Sequence, residues 1–480
     1  MTLELGAWQA AAPVMLASGW AIVVLIAEMF SAAGRYRAVA WLTIVGLLAT
    51  AAAALSAPTG SVFAGALALD SFSVYFTVLV CLVSAVAVFA AIDYLDATEV
   101  RGGEYYPLLL FAVVGVLVMA AATDLIVMFI GLETMSVAVY VLAGLWKRDV
   151  RSNEAALKYF LMGAFASGFM LYGIALVYAA TGSTVLAEIA QPAAASGGNS
   201  TLLLFGVGML LVGFGFKVSA VPFHLWTPDV YEGAPSSVTA FMSTAVKAGA
   251  FAAAIRTLTV ALGPATAELT NLLWVLAAAT MTVGNVVALR QTSLKRMLAY
   301  SSIAHTGYLL VGLTAGTPEA GSAVLFYLAT YAAMNLGAFG VLMMMARRGA
   351  PNEDIADFAG LGRTSPVLAA GMTVCMLSLT GIPPLAGFVG KFVLFAAALD
   401  AGFPVLVLVA IANSLVSAAY YLGVIRTMYF EDGDVGPVAG RGHLAAATVV
   451  AVAVTALLGV MPSTVLDAAS QALDTVVLGR

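Results

Sequence analysis

The chain has 480 residues, of which 62% are hydrophobic and only 9% charged. Soluble domains average about 45–50% apolar and about 25% charged, so a water-soluble globular protein is excluded. The formal net charge of -5, from 20 basic and 25 acidic residues, leaves no basic stripe for a nucleic acid.

A bilayer crossing needs about 20 mostly apolar residues. Apolar runs at 10–30, 38–57 and 71–95 predict the first three spans. The opening Met1-Thr2-Leu3-Glu4-Leu5 lacks the basic flank of a secretory signal, so the first run is expected to stay as a span. The next run covers 105–146. At about 1.5 Å per residue it is about 63 Å long, against a hydrocarbon core of about 30 Å. It must cross twice, turning near Thr123-Asp124. Runs near 155–180, 202–225, 236–262, 270–290, 294–314, 321–346, 366–399, 404–430 and 443–462 complete fourteen spans. Strands would alternate polar and apolar residues, so the expected fold is an all-α polytopic membrane protein. Asp124 and Asp400 sit at turns and are expected to cap helices. The stretch 181–201 reads as an outer loop, 431–442 as an acidic inner one, and the residues after 462 as a tail. Cys81 and Cys375, far apart in apolar runs, offer neither a disulfide framework nor a metal-ligand spacing.

Lys and Arg mark the cytoplasmic side. Loops after odd-numbered spans hold Arg35, Arg37, Arg101, Lys147, Arg148, Arg151, Arg290, Lys295, Arg296, Arg347, Arg348, Arg363, Arg426 and Arg441. Even-numbered loops and the tails hold only Arg256 and Arg480. Odd loops are therefore expected inside and both termini outside. The loop with Asp229 and Glu232 carries no Lys or Arg and reads as packed against protein.

Four lysines remain within spans, where each costs about 2.5–3.5 kcal/mol near the bilayer centre. Lys217 lies deep in the seventh span, Lys247 in the middle of the eighth, Lys391 in the long twelfth, and Lys158 early in the sixth, one turn after Glu154. Glu133 is the matching acid at mid-depth in the fifth span, and Lys217 is its expected partner. Each has a plainer reading. A lysine near a span end snorkels to the headgroups, which stays open for Lys158. A purely structural Glu133–Lys217 ion pair would leave Lys247 and Lys391 without acidic partners. His224 and His305 are either core residues or relays, the latter because imidazole exchanges protons near neutral pH. His443 reads as a surface residue.

Two spans are interrupted. Pro222 follows Lys217 closely, and Gly381-Ile382-Pro383-Pro384-Leu385-Ala386-Gly387 splits the twelfth run. Proline removes a helical hydrogen bond, and freed backbone at membrane depth is tolerated only against protein or a water-filled cavity. The breaks lie five spans apart, and an odd-numbered repeat must invert. Sliding 123–145 onto 291–313 matches Tyr140 with Tyr308, Leu142 with Leu310, Gly144 with Gly312 and Leu145 with Leu313. The expected division is 1–104, three N-terminal helices; 105–262 and 263–430, two five-helix repeats; and 431–480, the last helix and tail. No dinucleotide fingerprint or phosphate loop appears, so no cofactor is expected in this chain.

The segments Asn153–Phe160, Phe216–Pro235, Leu294–Tyr308 and Gly381–Phe388 resemble the subunit N family of bacterial NADH:quinone oxidoreductase, respiratory complex I. Subunit N is one of the antiporter-like families of its membrane arm. The resemblance runs in detail from about 105 to 395. Lysine at 391, where a sister subunit carries glutamate, and the absence of a long C-terminal lateral helix both favour subunit N. The resemblance implies proton translocation through fourteen helices with two inverted repeats. It implies Glu133 and Lys217 as inlet pair, Lys247 as central relay and Lys391 as exit group, with Lys158 on a family position. Its implied partners are a neighbouring antiporter-like subunit, small membrane subunits and lipid, with no nucleic acid. NADH, FMN, iron–sulfur clusters and quinone would belong to other subunits, and the location would be the bacterial inner membrane. A subunit of a multi-subunit sodium/proton antiporter and a structural membrane scaffold are the competing readings.

Overall fold

The computed structural model describes residues 5–31, 36–98, 102–195, 201–262, 267–346, 352–433, 435 and 442–478. Arg35, Arg101, Arg347, Arg348, Arg441 and Arg480, counted in the charge bias, lie outside the described residues. Helices α1 (Leu5–Met29), α2 (Tyr36–Ser56) and α3 (Ser71–Ala97) form the first three spans. An antiparallel hairpin of β1 (Gly60–Val62) and β2 (Leu67–Leu69) joins the last two. The Asp70 carboxylate starts α3 by accepting the Ser73 N–H, while Ser73 Oγ accepts the Asp70 N–H.

The double crossing resolves into α4 (Tyr105–Ala121) and α5 (Leu125–Ala143). Asp124 caps α5 by accepting from Ile126 and Val127, as expected. α6 (Val150–Thr181) is followed by the short α7 (Leu186–Ala195), inside the stretch expected to be loop. The broken seventh span is α8 (Thr201–Val218) and α9 (Trp226–Gly233). The eighth, Ser236–Leu262, contains α10 (Ser236–Phe241) and α11 (Lys247–Arg256), with π turns at Met242–Val246 and Thr257–Leu262. Then come α12 (Ala267–Ala288), α13 (Leu294–Ala315), α14 (Pro318–Met345) and the short α15 (Leu361–Thr364). The broken twelfth span is α16 (Pro366–Thr380) and α17 (Ala386–Asp400), followed by α18 (Pro404–Phe430) and α19 (Gly442–Val460). The expected tail is instead helical, α20 (Ser463–Leu478), with Leu473 packed against Gly321 of α14. Asp400 caps nothing. It closes α17, and α18 opens on Phe403 with Pro404 in its first turn, where a missing N–H leaves one donor fewer to satisfy. Among the described residues, eleven helices are long and apolar enough to cross a membrane, with α4 and α16 shorter apolar helices.

Backbone bridges sort the loops by face. Leu67 pairs with Ala122 and Asp124 with Val185, so loops after spans two, four and six meet on one side. Arg256 joins them through Asp70. Ser293 pairs with Asp354, and the ion pairs Arg37–Asp96, Lys147–Glu104 and Arg363–Asp432 link odd-numbered loops on the other side. His443 belongs to this second face but is no free surface residue. Its Nδ1 lies 2.9 Å from Asp93 Oδ1, and its N–H donates to Asp93 Oδ2.

Two hairpins turn on opposite faces and pack alike. A side chain on Gly115 would meet the Met135 nitrogen of α5, and one on Gly307 the Met281 nitrogen of α12. Both α4–α5 and α12–α13 therefore press backbone on backbone. In each half the third helix then packs on the broken one, α6 on α8 and α14 on α16 and α17, and the first on the fifth, α4 on α11 and α12 on α18.

Candidate functional site

Lys217 lies in the last turn of α8, which stops because Ser219 takes a left-handed φ of 66°. The carbonyl end of a helix favours a cation there. The ammonium donates to Ser136 Oγ at 2.7 Å and Tyr140 OH at 3.0 Å, both on α5. The rings of Tyr140, Phe216 and Tyr159 stand 5.0, 5.4 and 5.7 Å from it, within cation–π range. Tyr159 is in turn stacked on Trp226 of α9 at 4.2 Å. The charge thus sits in an aromatic cage built by four helices.

The expected Glu133–Lys217 contact is absent. Glu133 is half-buried and accepts from Ser167 Oγ of α6 at 2.5 Å. Ser136 is one turn from Glu133 on the same face of α5 and takes the place beside Lys217. Glu133 and Lys217 thus lie near each other along α5 without touching.

Lys247 opens α11 directly after the π turn, a local widening frequent at functional positions. It is 2% exposed and donates to Ser302 O at 2.8 Å, Ser302 Oγ at 2.5 Å and Thr306 Oγ1 at 3.1 Å. The Tyr331 ring lies 5.4 Å away. Thr306 also donates to the Val218 carbonyl beside Lys217, which ties the first broken helix to α13.

The same face of α13 leads onward. His305 is one turn from Ser302, its Nδ1 2.8 Å from Tyr327 OH and its Nε2 3.2 Å from Tyr421 OH. Tyr308, 5.5 Å from His305 between ring centres, lies under Lys391 with its ring 4.9 Å from Nζ. Lys391 donates to Leu379 O at 3.0 Å, Thr380 O at 2.8 Å and Ser414 Oγ at 2.9 Å. Two of those acceptors are carbonyls freed at the end of α16. Among the described residues, none of the three deep lysines has a carboxylate against it, and an ammonium buried without one is costly. The structure brings Lys217, Lys247, His305 and Lys391 into one polar line along α13. The Tyr140 ring lies 5.0 Å from Lys217 Nζ and the Tyr308 ring 4.9 Å from Lys391 Nζ, but only Tyr140 also accepts a hydrogen bond from its lysine.

Two candidates lie off this line. Lys158 is half-exposed in a charge cluster, 2.6 Å from Glu154 and 2.7 Å from Asp229, and Arg296 bonds both Asp229 and Glu232. The Asp229–Glu232 segment is therefore packed against basic side chains. His224 sits in the loop between α8 and α9, its Nδ1 buried without a hydrogen-bond partner.

A family profile described as NADH:quinone oxidoreductase/Mrp antiporter, TM, matches residues 122–417, more than half of the chain. NADH-quinone oxidoreductase subunit N of Trichlorobacter lovleyi is 46% identical over 475 residues, covering 97% of this chain and 96% of that protein. The chain belongs to the subunit N family. Subunit N of Chloroflexus aggregans is 43% identical over 477 residues, covering 98% and 97%. A chain of respiratory complex I from Thermus thermophilus, solved with bound aureothin, superposes with a TM-score of 0.82 at 37% identity, covering 96% of this chain and 99% of that one. A chain of the Mrp complex from Dietzia shares the fold, with a TM-score of 0.85 at 22% identity over 99% and 98%. The chain is thus an antiporter-like subunit of the complex I membrane-arm type.

In this subunit N chain, two basic residues that the sequence reading assigned to loops are buried. Arg256 is 3% exposed, forks onto both Asp70 oxygens at 2.8 Å and covers the Phe72 ring. Lys295 is fully buried and donates to Glu353 Oε1 at 2.9 Å and Ala234 O at 2.7 Å. Hydropathy carried no signal for either, since both partners come from distant segments. Among the described residues no group of three His, Cys, Asp or Glu is placed to hold a metal ion.

Proposed function

We propose that this subunit translocates protons along Glu133, Lys217, Lys247, His305 and Lys391, driven by quinone reduction in other subunits. The observation that carries the reading is the line of three buried ammonium groups, each held by hydroxyls or carbonyls and joined along α13. Hydroxyls accept and donate, so they can pass a proton that a fixed carboxylate would hold. At about 10 Å and an effective dielectric of about 20, two unit charges interact by about 1.7 kcal/mol. Moving charge at Glu133 therefore shifts Lys217 several-fold, and each site passes the change on. Work against the field is about 2.3 kcal/mol per charge per 100 mV, so several such couplings act in sequence.

The chain would sit in the bacterial inner membrane with both termini outside, beside another antiporter-like subunit and small membrane subunits. It would carry no redox centre, with NADH, FMN, iron–sulfur clusters and quinone handled elsewhere in the complex. The two halves, 105–262 and 263–430, would act as inverted half-channels between the N-terminal helices and the C-terminal segment. Lys158 would set the position of α9 from outside the line, and His224 would serve the loop that breaks the seventh span. The test is Lys247→Ala in the intact complex reconstituted into liposomes. The expected result is normal assembly with coupled pumping abolished or severely reduced; an unchanged proton-to-electron ratio overturns the reading.

A further inference from the structure

The buried Lys295–Glu353 pair is not used by this pathway. It lies on the face of the odd-numbered loops, where residues 352–355 are strapped onto 292–294 by Leu294 N–H to Glu353 O and Ile355 N–H to Thr292 O, both 2.8 Å. Glu353 is 13% exposed and Lys295 fully buried, so one member reaches the surface and the other does not. Among the described residues, three other basic groups at this face pair with different acids. Arg296 holds Asp229 and Glu232, Lys158 holds Glu154 and Asp229, and Lys147 holds Glu104. Behind the pair, Ser236 Oγ donates to the same Glu353 oxygen at 3.0 Å, and the Ser236 N–H donates to Tyr94 OH at 3.1 Å.

The next residue, Ser237, belongs to a group of buried polar side chains. Among the described residues, eight buried side-chain polar atoms have no hydrogen-bond partner, and seven of them belong to Ser84, Tyr105, Trp146, Ser237, Tyr331 and Asn335. These residues come from α3, α4, α10 and α14, which pack around one another, and from the loop where the Trp146 ring lies 6.0 Å from Lys295 Nζ. At one end Ser237 and Tyr105 come close enough to interact, and at the other Tyr331 approaches Ser302 and Asn335 and lies 5.4 Å from Lys247 Nζ, so these groups can bond water or one another. Ser237 and Lys247 lie ten residues apart on the same span, about 15 Å at about 1.5 Å per residue. Native interiors leave few such atoms without a well-formed bond, and a polar site with two to four such partners can bind a bridging water.

We propose that Lys295 and Glu353 form a proton inlet that feeds Lys247 along the α10 face. The Glu353 carboxylate takes a proton from water at the odd-loop face, which breaks the ion pair. The Lys295 ammonium gives its proton to a water among the hydroxyls of Ser237, Tyr105 and Tyr331, and that proton reaches a neutral Lys247 amine. The proton on Glu353 then moves to Lys295 and restores the pair. One proton has moved inward, and both members of the gate are as they began. The inlet rests on the proton-relay reading of Lys247, but its evidence is separate.

The experiment uses the intact complex in inside-out vesicles, which present this face to the medium. Glu353→Gln is expected to cut the pumping rate by about 100-fold, the scale of a lost proton-transfer group, while Glu353→Asp keeps most of it. Should Glu353→Gln fail to assemble, Ser237→Cys decides alone. A small water-soluble methanethiosulfonate is expected to modify this cysteine and stop pumping, while Cys81 and Cys375, both buried, leave the unsubstituted complex unaffected. Full pumping in Glu353→Gln, or an unreactive Cys at 237, overturns the inlet. If Lys247→Ala stops pumping while both of those hold, only the inlet fails. If Lys247→Ala itself pumps normally, the relay reading fails.

Discussion

Lys217 and Lys391 occupy the two broken spans on opposite sides of their breaks. Lys217 ends the helix before its break and is held by side chains of α5, inside a ring of aromatics. Lys391 lies on the helix after its break and is held by the carbonyl end of the helix before it. Each has a tyrosine ring about 5 Å away. The common requirement is a buried ammonium over an aromatic face beside interrupted backbone. What differs is whether side chains or main chain supply the acceptors, and so how easily those acceptors move.

The largest effect separates the two lysines by stability. Lys217→Ala and Lys391→Ala should both stop pumping, but Lys391→Ala also leaves the Leu379 carbonyl without its donor, while Thr380 keeps Ser414. A buried acceptor left unpaired costs about 1–3 kcal/mol, so thermal unfolding should show the greater loss for Lys391→Ala. Equal losses would break the distinction. The tyrosines come next. Tyr140→Phe removes a hydrogen bond to an ammonium, worth about 1.5–3 kcal/mol. Tyr308→Phe keeps the ring under Lys391 and loses the bond from Asn285, which does not involve the ammonium. Pumping should therefore fall at least several-fold more in Tyr140→Phe; comparable rates would show that only the rings matter. The serines give the smallest contrast. Ser136→Ala leaves Lys217 with one acceptor, whereas Ser414→Ala leaves Lys391 with two carbonyls. A measurable slowing is expected in the first and a near-normal rate in the second.

Much of this was legible in the residues. The thirteen apolar runs, one of them double, became helices because bilayer thickness sets their length, and Pro222 and Pro383-Pro384 marked both breaks. Lys217, Lys247 and Lys391 stood out because charge is costly in such runs. Contact was harder to read. Glu133 looked like the partner of Lys217 by depth, but depth does not say which way a side chain turns, and Ser167 draws it toward α6. Lys295 and Arg256 were counted as loop charges because Glu353 and Asp70 are 58 and 186 residues away. The cage of Tyr159, Phe216 and Trp226 is composed of ordinary apolar text until four helices converge. The π turn before Lys247 has no composition of its own.

Helix α3 has a consequence for how the chain is made. It packs on α2 and α4, but also on α14, α19 and α20, and Tyr75 OH donates to the Leu325 carbonyl 250 residues later. At about 5–20 residues per second, α3 waits roughly 12–50 seconds in the bilayer before that acceptor has been synthesised. Asp93 waits longer still, for His443, 350 residues on. Until then lipid must cover the surface that these helices later claim. Biogenesis therefore ends where it began, with the earliest-inserted helices the last to be fully enclosed.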